Sequence, residues 1–325
     1  MATDPSRTPR LDGATLQVVS GPAREPALAA FAFAEAGGAV LRVGLDFLGG
    51  DLLCESWLVD RPVASGQADG VSWRQAGELL LLSWDVEDDS TVDPAELADR
   101  AYGRLIAQAR QQGCPHLLRA WNFMPAINQG EGDSERYRRF CLGRARSLEQ
   151  AGIDASGLCA GTAIGGDDPR LRVFILAGRQ PGINIENPRQ ISAYRYPRIY
   201  GPRSPSFARA TALPQPGGQV LLMISGTASV VGHRTLHEGD LIGQLKEIES
   251  NFHSLLSESA SRLGRGKLVR FDAGSLLRVY LRCAEDWPAT RDFLAQAWPK
   301  VPVVALRGDI CRSDLLVEIE AVCVG

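Results

Sequence analysis

The sequence predicts an α/β or α+β fold in two domains, with long helices laid over sheets. Three observations carry that reading. The chain has 325 residues, more than one hydrophobic core usually gathers. Its second half repeats a strand-then-helix order, and a Pro- and Gly-rich stretch at 180–188 parts an N-terminal half, 1–180, from a C-terminal half, 181–325.

Each element follows from local pattern. Residues 1–12 are polar and contain proline, the profile of a mobile arm. Residues 15–87 hold short apolar runs broken by Gly37-Gly38 and Gly49-Gly50, with a further run from 79 to 84, and read as strands and turns. Asp93, Pro94 and Glu96 supply an N-cap, a first-turn proline and an acidic third position. A helix is therefore expected to run to about residue 113, with Leu97, Ala101, Leu105 and Ala109 spaced by four. A second helix, from 133 or 134 to 152, sets Tyr137, Phe140, Cys141, Arg144 and Leu148 three or four apart, which brings Tyr137 and Arg144 to one face. Residues 171–177 read as a strand.

In the second half, 190–197 and 220–225 read as strands, and 240–263 as a long helix with the stripe Leu241, Leu245, Ile248, Phe252 and Leu255. A strand at 276–283, a helix at 288–298 and strands at 301–306 and 315–324 complete the order.

Composition removes several function classes. The formal charge is −3 and no long Lys/Arg run exists, so neither nucleic acid nor anionic lipid has an electrostatic footprint here. No stretch of about 18 apolar residues offers a membrane span, and residues 2–6 lack a signal-peptide profile, so a cytoplasmic location is expected. Seven scattered cysteines without a C-x-x-C pair fit a reducing compartment and small packing roles. Gly264-Arg265-Gly266-Lys267 lacks the spacing of a phosphate loop and no G-x-G-x-x-G joins a strand to a helix, so no nucleotide cofactor is expected. His233 and His237 stand four apart among Gly232, Thr235 and Gly239, a turn rather than a helix face, and no metal is expected. His116 and His253 are isolated and assemble no triad by sequence reasoning.

Two segments concentrate chemistry. In the last strand, alternation puts Val317, Ile319, Ala321 and Cys323 on one face and Glu318 with Glu320 on the other. On pattern alone that second face is solvated. Helices covering both faces would instead close over one glutamate, and a desolvated carboxyl keeps its proton and serves as a general acid. Residues 192–210 combine Tyr194 and Tyr196, expected on one strand face, with Arg209 in a mostly uncharged stretch. Such a set binds a carboxylate by bidentate and phenolic hydrogen bonds. A tyrosine-rich hairpin with solvated arginines is the alternative.

At these residues the chain resembles the chorismatase family, the chorismate hydrolases and hydroxybenzoate synthases of bacterial secondary metabolism. The resemblance runs from about residue 121 to the end and rests on ordered motifs. They are Asn122-Phe123-Met124-Pro125 with Asn128, the stretch Tyr137-Arg138-Arg139-Phe140-Cys141-Leu142-Gly143-Arg144, and residues 192–210. Ser225-Gly226-Thr227-Ala228-Ser229 with Gly232-His233, and the run from Cys311-Arg312-Ser313-Asp314 to Glu318-Ile319-Glu320, complete them. The first 120 residues carry little of it. The C-terminal pattern is also similar to the Rid (YjgF-like, chorismate mutase-like) fold, which ends in a Val-Glu-Ile-Glu-like strand. Arg307 and Arg312 stand at different spacings from Glu318 than that family's carboxylate-binding arginine, so its imine chemistry is not carried over.

The resemblance implies a C-terminal domain of the Rid-like fold behind an added N-terminal domain. It implies that Glu318 protonates the enolpyruvyl methylene or the departing group of chorismate. Tyr137, Arg144, Tyr196 and Arg209 would hold the two carboxylates, and Gly226 would shape the pocket beside the ring. Cys311 falls where hydroxybenzoate-forming members carry a reactive-site cysteine, which implies pyruvate plus 3-hydroxybenzoate, with 4-hydroxybenzoate left open. Hydrolysis to a dihydroxycyclohexadiene carboxylate and a non-catalytic Rid-like sensor are the rival readings.

Overall fold

A computed structural model describes residues 15–21, 24–34, 41–88, 91–264, 266 and 270–325. The expected N-terminal arm, the Gly37-Gly38 break, and Arg265 and Lys267 lie outside them. Among the described residues there are four α-helices: α1 (Pro94–Gln111), α2 (Arg136–Gln150), α3 (Leu241–Leu263) and α4 (Trp287–Ala297). The Asp93 carboxylate accepts from the Ala95 N–H at 2.9 Å, and the expected stripe of α1 is buried. In α3 the Asp240 side chain accepts from the Gly243 N–H, and Gly264 ends the helix at φ 63°, a left-handed conformation that glycine adopts without penalty.

Two seven-stranded mixed sheets carry the molecule. The first runs Asp309–Ile310, Ala160–Gly166, His116–Pro125, Arg170–Gly178, Leu79–Glu87, Val71–Ala76, Ala64–Ala68. The second runs Ile183–Ile185, Ala210–Pro214, Val220–Ala228, Val317–Val324, Leu276–Leu281, Val303–Arg307, Phe47–Gly50. Each takes one edge strand from the other half of the chain. A four-stranded sheet of Leu16–Ser20, Cys54–Val59, Ala27–Ala32 and Leu41–Arg42 stands apart in its hydrogen bonding.

Three apolar clusters show how the layers pack. Leu97, Leu105, Phe140 and Leu148 of α1 and α2 meet Leu80, Leu82, Val173 and Ile175 on the outer face of the first sheet. Leu245, Ile248, Phe252 and Leu294 of α3 and α4 meet Leu222, Val279, Val317 and Ile319 on the outer face of the second. Trp121 and Phe174 meet Met223 and Tyr280 between the sheets, where Phe31 and Trp57 of the small sheet join them. The order is helix, sheet, sheet, helix, an α+β fold. Each fully buried large apolar side chain in these layers contributes about 1.5–3 kcal/mol.

Three expectations change. Residues 190–197 form no strand: Ala193–Arg195 and then Arg198–Tyr200 are short 3-10 turns, and no strand begins until Ala210–Pro214. Pro197, Pro202 and Pro205 have no N–H to give a ladder. Tyr194 and Tyr196 consequently share no strand face; Tyr194 packs against the α1–α2 cluster, while Tyr196 lies beside Arg209. Second, His116–Pro125 and Ala160–Gly166 are strands in the middle of the first sheet that the sequence reading passed over. Third, helices do not cover both faces of the last strand; its glutamate face is covered by the first sheet.

Candidate active site

Strand Val317–Val324 lies between Val220–Ala228 and Leu276–Leu281, so both its edges are paired. Its apolar residues face α3. Glu318 and Glu320 point the other way, into the space between the two large sheets, and are only 5% and 4% exposed. The solvated face that alternation alone favours is therefore absent.

The two carboxyl groups have opposite surroundings. Glu320 accepts from Arg119 Nη2 at 2.6 Å, Thr162 Oγ1 at 2.5 Å and Trp121 Nε1 at 3.0 Å. Arg278 Nη1 lies 3.2 Å from it, and the same guanidinium is held by the buried Glu55 at 2.7 and 2.8 Å. In this buried network both carboxylates, Glu55 and Glu320, have an arginine against them, as burial requires. Glu318 has no hydrogen bond or ion pair among the described residues. Burial first, and then the neighbouring Glu320 charge, push its pKa up to about 8. It keeps its proton at neutral pH.

Gly226 explains how the acid fits. The ladder between Val220–Ala228 and the last strand loses register between Ile224 and Thr227, a bulge at Ser225-Gly226. The bulge turns the Gly226 N–H out of the ladder to donate to Thr162 Oγ1 at 3.0 Å. A Cβ on Gly226 would stand 1.8 Å from Glu318 Oε1. The missing side chain is the space the carboxyl occupies.

In front of Glu318 opens a cavity of about 340 Å³. Helix α2 lines it with Tyr137 and Arg144, the first sheet with Gly161 and Thr162, the irregular strap with Tyr196 and Arg209, and the loop before the last strand with Cys311 and Arg312. Gly226 and Glu318 close the floor. All seven residues that the sequence pointed to, Tyr137, Arg144, Tyr196, Arg209, Gly226, Cys311 and Glu318, line this one cavity.

Its electrostatics are those of an anion site. Arg144 is 6% exposed, and its guanidinium lies 5.0 Å over the Tyr102 ring with Nε unpartnered. Gly143 lets α2 lie this close to α1, because a Cβ there would stand 1.9 Å from the Ala95 carbonyl oxygen. Arg209 donates to the Tyr196 hydroxyl at 2.7 Å and the Ile191 carbonyl at 2.9 Å, and its Nε is also unpartnered. Arg312 donates to the His233 carbonyl at 2.9 Å and lies 4.1 Å over the Tyr200 ring. Among the described residues, none of these three arginines makes a salt bridge.

Burial raises the Cys311 thiol far above its usual range, reinforced by the Glu318 charge, so Cys311 stays a neutral thiol beside the acid. Burial likewise raises the Tyr137 phenol, with Cys141 and Cys311 as its neighbours. Sequence reasoning missed the support beneath the site: Arg119, Thr162 and Arg278. One signal was available. An arginine inside the apolar run His116–Pro125 needs a buried partner, and Glu320 is that partner.

Known proteins resemble this chain over most of its length. Residues 55–177 match the family model "Chorismatase FkbO/Hyg5-like, N-terminal". A 3-hydroxybenzoate synthase from Streptomyces hygroscopicus is 38% identical over 278 residues, 82% of this chain and 80% of that protein. A crystal structure of a chorismatase superposes with a TM-score of 0.81 at 32% identity, covering 96% of this chain and 98% of that one. Over a smaller part, a YjgF family member from Mycobacterium tuberculosis covers 36% of this chain and 85% of its own at 21% identity, with a TM-score of 0.26. With that identity sustained over four fifths of the sequence and one fold shared almost end to end, the chain belongs to the chorismatase family.

Proposed function

We propose that this chain is an enzyme that cleaves the enolpyruvyl ether of chorismate to pyruvate and 3-hydroxybenzoate. One observation supports this above all: three arginines without ion pairs and one protonated carboxyl share a single cavity. A dianion with a proton-accepting carbon is the ligand that satisfies both. On this reading residues 1–180 form a domain supplying Tyr137 and Arg144, and residues 181–325 a domain supplying the remaining groups.

Arg144 and Arg209, with Tyr137 and Tyr196, hold the two carboxylates and fix the ring against Glu318. Glu318 gives its proton to the enolpyruvyl methylene. The ring carbon–oxygen bond then breaks, and its electron pair becomes part of the keto group of pyruvate. The 4-hydroxyl oxygen bonds to the vacated ring carbon, and its proton returns to the Glu318 carboxylate. The resulting epoxide opens at C4, C3 loses its hydrogen as a proton, and the oxygen on C3 takes one up. Pyruvate and 3-hydroxybenzoate together contain every atom of chorismate. The neutral Cys311 thiol stands as a weak hydrogen-bond donor for the opening oxygen rather than as a nucleophile.

The test is a pyruvate-coupled assay with chorismate and chromatography of the aromatic product. Wild type is expected to release pyruvate and 3-hydroxybenzoate, and Glu318→Gln to bind chorismate without releasing pyruvate. Cys311→Ala is expected to go on releasing pyruvate with a smaller share of 3-hydroxybenzoate. A non-aromatic diol from wild type would mean hydrolysis instead, and binding without turnover would mean a sensor.

A further inference from the structure

Arg282 follows strand Leu276–Leu281 and lies outside the cavity that holds Glu318, in a neighbouring cleft shared with Asp309 and Arg307. Its guanidinium makes an unusually complete set of contacts. Nε donates to the Leu315 carbonyl at 2.9 Å, and Nη2 to the Arg312 and Ile310 carbonyls at 2.9 and 3.2 Å. Nη1 donates to Asp309 at 2.5 Å and to Asn128 Oδ1 at 3.2 Å. The Arg282 N–H itself donates to the Leu316 carbonyl at 3.0 Å.

Four of those acceptors are backbone carbonyls: Ile310, and Arg312, Leu315 and Leu316 of the loop that follows it and carries Cys311. Two others, Asp309 and Asn128, belong to the first sheet and to the chain just beyond its strand His116–Pro125. Between strands Asp309–Ile310 and Val317–Val324 the loop has little ladder pairing of its own. Besides Arg282 it is tied by Leu315 N–H to the Arg312 carbonyl, by Gln244, which accepts from Leu316 N–H and donates to the Asp314 carbonyl, and by Thr235 and the His233 carbonyl on the Asp314 and Arg312 side chains. A planar fork of five donors matches convergent carbonyls in a way that the single ammonium of lysine does not.

We infer that Arg282 is a positioning residue: it clamps the 310–315 loop across the seam of the two sheets, fixing Cys311 and Arg312 against the ring and thereby selecting the product. It touches no substrate. The selection part of this inference rests on the function proposed above; the clamping part does not.

Two variants of the full chain test it, Arg282→Gln and Arg282→Lys. In hydrogen–deuterium exchange without ligand, amides 309–316 should exchange about five- to tenfold faster in Arg282→Gln, with α1 and α3 unchanged, since one or two lost hydrogen bonds set that scale. Arg282→Lys should fall between, and it is the variant read if Arg282→Gln does not fold. With chorismate, pyruvate release should continue while 3-hydroxybenzoate per pyruvate drops about twofold or more, because small misplacements weigh heavily on one branch. A general loss of stability would lower total turnover and leave that ratio alone. Unchanged exchange in both variants overturns the clamp whatever the substrate is, and faster exchange with an unchanged product ratio overturns the selection. A wild type inert to chorismate sinks the functional reading and the selection with it, while exchange still decides the clamp.

Discussion

Gly226 and Glu318 pack as one unit, since the glycine's absent side chain is the carboxyl's place. Gly226→Ala puts its new carbon against a carboxyl at the free end of a flexible side chain, so the side chain moves and the fold holds. The expected result is a melting temperature within a few degrees of wild type and pyruvate release lower by on the order of 100-fold, the scale of an acid misplaced by about 1 Å. A variant that keeps full activity would show that the position of Glu318 is not critical. The arginines act differently. Arg144→Ala and Arg209→Ala each remove a buried cation that faces the cavity without an ion pair. Each should weaken chorismate binding by about 2–5 kcal/mol, read as a raised KM or Kd, because truncating a buried charge partner strands the other charge. Wild-type kinetics in both would remove the carboxylate clamp from the reading.

Elements decide which of these residues were legible. The last strand was read correctly from its alternation, and so was the face shared by Glu318 and Glu320, because period two survives whatever packs outside. What packs outside could not be read. His116–Pro125 is buried at nine of its ten positions, so it has no alternation to detect, and Ala160–Gly166 is mostly glycine and alanine. These are the strands that bring Arg119, Trp121 and Thr162 onto Glu320. The strap around Tyr196 was misread as a strand because its aromatics mimic β preference while its prolines break the ladder. One consequence concerns Glu320, which sequence position alone marks as a bystander on the same face. Glu320→Gln leaves Arg119 and Arg278 short of a buried countercharge and should cost about 3–5 kcal/mol in stability. It also removes a negative neighbour of Glu318, so the alkaline limb of activity should move to lower pH. Denaturant unfolding and a pH–rate profile check the two effects, and an unaltered midpoint would show that the network contributes nothing.

At the scale of the whole molecule, Glu318 is protonated because two sheets and their outer helices keep water from it. The unfolded chain offers no such shelter, and there the carboxyl titrates near 4.5, against about 8 in the fold. Below pH 4.5 both states carry the proton, and the stability that goes with it is fully present. Between 4.5 and about 8 the folded state binds the extra proton, so rising pH works against folding. Above about 8 both states have lost the proton, and that contribution to stability is gone. Each unit of difference is worth about 1.36 kcal/mol, so the total is on the order of a few kcal/mol. Other groups titrate across the same range, and Glu318→Gln cancels them by difference because it lacks only this proton. The melting temperature of wild type minus that of Glu318→Gln should therefore fall steadily from pH 5 to pH 9 and level off beyond. The alkaline limb of pyruvate release should lie in the same region, since on the proposed reading the proton that stabilises the fold is the one Glu318 lends to the substrate. A difference that stays flat with pH would mean that the layers do not desolvate Glu318, and its role as the acid would fall with it.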